Sequence, residues 1–91
     1  MITTININKE DVDKYKKAFP NGVNEYLVTK IDLIGDQLIR KYPLSKNKAL
    51  LGINIPLESW KRINRWIIDS TTENFKYTLR DAVLTLLDWH N

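Results

Sequence analysis

Ile-Asn-Ile occurs twice in this 91-residue chain, at positions 5–7 and 53–55, and each copy opens a basic amphipathic stretch. A doubled opening limits the possible folds, because it makes the chain two copies of one small supersecondary unit. Each copy alone, at about 45 residues, falls near the size at which a single hydrophobic core fails. The two must share a core, and the length sets one domain over residues 1–91.

Slid by 48 positions, the halves bring Ile5 onto Ile53, Ile7 onto Ile55, Val12 onto Trp60, Tyr15 onto Ile63 and Phe19 onto Ile67. Asn6 falls on Asn54, and Lys14 and Lys17 fall on Arg62 and Arg65. Beyond the next turn the offset grows to 52, setting Val23 on Phe75, Leu27 on Leu79, Ile31 on Val83 and Ile34 on Leu86. Identities are few, and any two strand-helix-helix segments share such patterning. Common structure is the firmer reading, common ancestry the weaker.

The segment "ITTINI" (2–7) alternates β-branched and polar residues with period two, which predicts a strand. Asn8 stands at an N-cap position before an acidic first turn, and Val12, Tyr15 and Phe19 follow at helical spacing. Pro20-Asn21-Gly22 ends that helix. Leu27, Ile31, Ile34, Leu38 and Tyr42 then predict a longer helix over 24–41, with Gly35 inside it marking a close approach. Pro43 closes the first unit (1–42), and 43–47 reads as a linker to the second unit (48–91). There "ALLGINI" (49–55) reads as a strand, and Pro56 suits a first helical position. Trp60, Ile63 and Ile67 predict a third helix. A polar break at 69–74 and a capping box from Thr78 to Asp81 precede a last helix. Its stripe runs through Leu79, Ala82, Val83 and Leu86 to Trp89 or His90.

Charge and chemistry narrow the function classes. The net charge of +3 permits an acidic partner without demanding one, and it is spread evenly, with 8 basic and 6 acidic residues in 1–46 against 6 and 5 in 47–91. The chain has no cysteine, a single histidine, and no Gly-rich phosphate loop or nucleophile motif. An enzyme is not expected, nor a metal or other cofactor. No apolar run approaches a membrane span and no signal-peptide pattern opens the chain, so the expected address is cytoplasmic, with no membrane partner.

The stretch "GINIPLESWKRINRWIIDSTTENFKYTLRDAVLTLLDW" resembles the ribbon-helix-helix superfamily of the Arc/MetJ type, with its strand, proline and amphipathic helix in sequence. The first half, "TININKEDVDKYKKAFPNGVNEYLVTKIDLIGDQLI", fits the same outline more loosely. Together they resemble a tandem, single-chain arrangement. The resemblance implies a mainly α fold with a short two-stranded antiparallel ribbon, built from two β-α-α units about a pseudo-twofold. In that superfamily the ribbon enters the DNA major groove, and backbone N–H groups at the start of each unit's second helix hold phosphates.

On that basis Thr4, Asn6 and Asn54 face the bases, with Lys48 at the ribbon's edge and Asn8 beside it. The phosphate clamps fall at Gly22, Val23 and Asn24 and, less symmetrically, at Lys76, Tyr77 and Thr78. The chemistry is sound: a two-stranded ribbon fits the major groove, and an asparagine can bond adenine N6 and N7 together. Helix N-termini supply free donors and a positive dipole end. The ribbon carries less positive charge than is usual in the superfamily, so Lys9, Lys14, Lys17, Lys61, Arg62, Arg65 and Lys76 are the candidate phosphate neighbours.

The expected function is sequence-specific binding of double-stranded DNA, as a transcriptional repressor or a plasmid or viral DNA accessory factor. The rival is a protein-binding inhibitor or antitoxin-like module of the same fold, with Trp66, one place off its apolar stripe, and the aromatic patches as the contact. The strands can pair within one chain or with a second copy.

Overall fold

The computed structural model describes residues 2–89. Two strands, β1 (Ile2–Asn8) and β2 (Lys48–Asn54), form an antiparallel ribbon within the one chain. Opposed residue numbers all add to 56, from Ile2 against Asn54 through Thr4 against Gly52 to Asn8 against Lys48. Period two then does the sorting. Ile5, Ile7 and Ile53 turn inward and are buried, while Thr4, Asn6, Gly52 and Asn54 are exposed.

A 3₁₀ turn over Lys9–Asp11 leads into α1 (Val12–Ala18), and α2 (Asn24–Ile31) follows. Asn8 precedes that turn without a side-chain cap bond. In the second half come α3 (Leu57–Ser70) and α4 (Leu79–Asp88). Pro56 is the extended cap residue of α3 rather than its first helical residue.

In α4 every residue from Asp81 to Leu87 is buried, because it packs on α2, α3 and β1 at once. It is the centre of the molecule. Around it the core includes Leu27 and Ile31 from α2, Trp60, Ile63 and Trp66 from α3, and Tyr15, Val23 and Ile39, closed by the ribbon isoleucines. Each such side chain contributes about 1.5–3 kcal/mol by leaving water. The last apolar position expected of α4 is Trp89, half-buried; His90 lies outside the described residues.

The predicted helix over 24–41 is cut to half its length. It stops at Ile31, and Gly35 takes a left-handed conformation (φ +51°) in a turn, where a side chain would be strained. The apolar spacing that extended it was misleading: Leu38 is exposed, and the neighbouring Ile39 is buried in its place. From residue 37 to 47 the chain runs without regular structure along α3 and α4. Its backbone finds partners there: Gln37 O accepts from Trp66 Nε1 at 2.8 Å, Arg40 N–H donates to Thr85 Oγ1 at 2.9 Å, and Tyr42 N–H donates to Asp81 Oδ1 at 3.2 Å. These bonds replace the helical ones. The connection to β2 is accordingly longer than the expected linker of 43–47.

Two other expectations change. The second helices start 55 positions apart, at Asn24 and Leu79, not 52, so Phe75 is an exposed loop residue and has no counterpart role to the buried Val23. Trp66 is only 7% exposed. The roll of α3 turns it into the core beside Ile63, and its indole N–H is satisfied by the extended segment that the short α2 leaves free.

Candidate nucleic-acid interface

The outer face of the ribbon is four opposed pairs: Ile2 with Asn54, Thr4 with Gly52, Asn6 with Leu50, and Asn8 with Lys48. Thr4, Asn6, Asn54 and Lys48, the expected base-contacting residues, all lie exposed on it. Among the described residues the Asn6 and Asn54 carboxamides have no hydrogen-bond partner. Their four donor and acceptor positions point to solvent.

The outward pairs are also the close ones. One pair beyond the ribbon, Lys9 N–H meets Asn47 O at 2.9 Å, and the hydrogen-bonded pairs alternate from there. The even-numbered residues are thus the non-hydrogen-bonded pairs, whose side chains stand nearest each other.

Asn8 is the exception on this face. Its Oδ1 accepts from Ser45 N–H at 2.7 Å and its Nδ2 donates to Pro43 O at 3.2 Å. It brackets the returning chain and has little capacity left for a ligand.

Two positions on the face were missed. Ile2 is 79% exposed and Leu50 is 70% exposed. The signal was present, since parity sets Ile2 with Thr4 and Asn6, and Leu50 with Gly52 and Asn54.

Both second helices begin against the ribbon's edges. Asn24, the first residue of α2, accepts the Asn54 N–H on its Oδ1 at 2.9 Å. Arg80, in the first turn of α4, donates from Nε to Asn6 O at 2.6 Å and also bonds the Tyr42 carbonyl. No sequence signal pointed to Arg80.

The two expected clamps differ. At the first, Gly22 is exposed with φ +91°, Val23 is buried and Asn24 is half-buried, and no side chain caps the helix. At the second, Lys76 and Thr78 are exposed and Tyr77 is half-buried. There Asp81 fills the helix start: its Oδ2 accepts from Thr78 N–H at 3.1 Å, and Thr78 Oγ1 accepts from Asp81 N–H at 3.3 Å. Lys41 pairs with the same carboxylate at 3.8 Å and lies over the Tyr77 ring. A carboxylate already occupies the dipole end that an external anion would need.

The candidate cations divide in the same way. Lys14 pairs with Asp88, Lys61 with Glu58, Arg62 with Asp32 and Arg65 with Asp69. Among the described residues Lys9, Lys17, Lys46, Lys48 and Lys76 carry no ion pair. Three of these, Lys9, Lys46 and Lys48, stand at the Asn8 end of the ribbon, where Glu10 and Asp11 follow in the same turn.

A groove of about 380 Å³ lies between α1 and the outer edge of β2, walled by Val12, Phe19, Val23 and Leu51, with Lys16 its only charged residue. Among the described residues no group of three or more His, Cys, Asp or Glu could hold a metal ion. No described helix is long and apolar enough to cross a membrane. No protein-family model, no curated protein and no solved structure matches this chain.

Proposed function

We propose that the protein binds double-stranded DNA by laying the outer face of its ribbon in the major groove, in a tandem ribbon-helix-helix arrangement. The observation that carries this reading is the matched placement of Asn6 and Asn54. Residues 48 apart in the sequence are opposed across the ribbon at one place only, Thr4 and Gly52. A twofold through that pair exchanges Asn6 with Asn54 and Ile2 with Leu50. Asparagine is a poor strand former, so two unpartnered copies at equivalent exposed positions call for a ligand that rewards them. The start of α2 at Asn54 and that of α4 at Asn6 follow the same exchange.

Affinity on this reading comes from both ends of the ribbon. Lys9, Lys46 and Lys48 reach the backbone beside Asn8, and the α2 start at Gly22, Val23 and Asn24 is the more open of the two phosphate clamps. Three lysine–phosphate contacts correspond to a slope of about −2.7 in log affinity against log salt.

The test is a salt-titrated binding assay against duplex from the gene's own upstream region. Asn6→Ala/Asn54→Ala should lose about tenfold or more in affinity for the preferred duplex, with the circular dichroism unchanged. If the wild-type chain ignores duplex DNA at low salt, the reading is wrong. The rival protein-binding reading loses Trp66 from its contact, because Trp66 is a core residue.

A further inference from the structure

The outer face holds two residues that a hydrogen-bonding readout leaves unused, Ile2 and Leu50, the most exposed aliphatic side chains of the ribbon. A solvated sheet face gains nothing from them, since each leaves a full aliphatic surface in water. Each also stands directly opposite one of the two free asparagines: Ile2 opposes Asn54 and Leu50 opposes Asn6. Both are close, non-hydrogen-bonded pairs, with side chains about 4.5–5.5 Å apart. The face therefore presents the same composite twice, a carboxamide beside an aliphatic group.

Resting on the reading that the ribbon enters the major groove, we infer that each composite reads an A·T element, so that Ile2 and Leu50 are specificity-determining residues. The asparagine bonds adenine N6 and N7, and the aliphatic group covers the 5-methyl of a thymine next to it. Neither side chain suits G·C, which offers no methyl and sets two acceptors where the carboxamide expects an acceptor and a donor. Between the composites stand Thr4 and Gly52, too small to exclude any base. The composites are four residues apart along each strand, about 13 Å at the usual rise. That spans about four base pairs at 3.4 Å each. The recognised duplex thus has two A·T elements about four base pairs apart, related by an approximate dyad, with a permissive centre.

The probe is a random-sequence duplex library enriched on the full chain, followed by chemically edited versions of the enriched duplex. Enrichment of two A·T elements at that spacing is expected. Replacing thymine by uracil at one element deletes only the methyl and should weaken binding about fourfold. Replacing adenine by 7-deazaadenine deletes only N7 and should weaken it about fivefold or more. In Leu50→Ser the uracil effect should vanish at the Asn6 element and persist at the other; Ile2→Ser should do the reverse. Both sites are on the surface, so folding is unaffected, and the pattern of lost discrimination is something a structural role cannot produce.

Duplex binding that is indifferent to uracil, or discrimination that survives both substitutions, overturns the inference and leaves the duplex reading standing. Failure to enrich any duplex overturns both. If Ile2→Ser/Leu50→Ser binds duplex like the wild type but changes the mass in light scattering, the aliphatic pair covers a second copy of the chain, and the inference is likewise overturned.

Discussion

Three residues behind the ribbon, Tyr15, Tyr42 and Asp88, tie stability to pH. Burial first, and then the neighbouring Asp88 carboxylate, pushes the Tyr42 phenol up to about 12 from its ordinary 10.0. Tyr15 is raised by burial first and then by the negative charge of Asp88, with Asp11 adding to them. A raised folded pKa means that the folded chain holds these protons more tightly than the unfolded one. Their contribution is complete below pH 10 and is lost as pH climbs from 10 toward 12. Urea melts across that window should show stability falling in the wild type and falling less steeply in Tyr15→Phe/Tyr42→Phe. At neutral pH the two hydroxyls differ. Tyr15 Oη donates to Asp88 Oδ1 over a long 3.5 Å, whereas the buried Tyr42 hydroxyl makes no hydrogen bond. Tyr42→Phe should then change stability by less than about 0.5 kcal/mol, or raise it, while Tyr15→Phe costs about 0.5–1.5 kcal/mol.

Among the elements, α4 shows what local rules can and cannot disclose. Its capping box was legible, because Thr78 and Asp81 stand at the required spacing before an apolar run. The second duty of Asp81 was not, since the Tyr42 N–H it accepts comes from 39 positions away. Asp81→Ala should cost about 2–4 kcal/mol in a urea melt, the lost cap plus a buried N–H left unpaired. Thr78→Ala removes the cap alone and should cost about 1 kcal/mol. A smaller loss for Asp81 than for Thr78 would count against this account. The same non-local bonds explain why α2 was read too long. Helical spacing continued through Ile34 and Leu38, but Thr85, Asp81 and Trp66 offered residues 37–42 partners that no local pattern encodes. On the ribbon, parity alone placed Thr4, Asn6 and Asn54 outward. It also places Ile2 and Leu50 there, beside the polar residues that a hydrogen-bonding readout picks out.

For the whole molecule, the question is how one chain supplies both strands of its ribbon. A five-residue linker, reaching at most about 17 Å, is a doubtful span. The structure removes that constraint by ending α2 at Ile31 and sending 37–47 past the buried α4 before β2 begins. Three groups fix this return. Arg80 holds the Tyr42 carbonyl, Asp81 holds the Tyr42 N–H, and Asn8 bonds Ser45 N–H and Pro43 O at the ribbon's end. The Asn8 bracket decides whether β2 folds back on its own β1 or is left to pair with the β1 of another copy. Wild-type protein should scatter light as a single 10.7 kDa species at micromolar concentration. Asn8→Ala removes two bonds from the segment that closes the ribbon, costing about 1–2 kcal/mol in a urea melt. It should also show a dimer growing with concentration, because the strands keep their edges and exchange partners at low cost. Asn8→Asp keeps the acceptor for Ser45 and should stay closer to the wild type in both measurements. A monomeric Asn8→Ala of wild-type stability would mean that Arg80 and Asp81 close the ribbon without it.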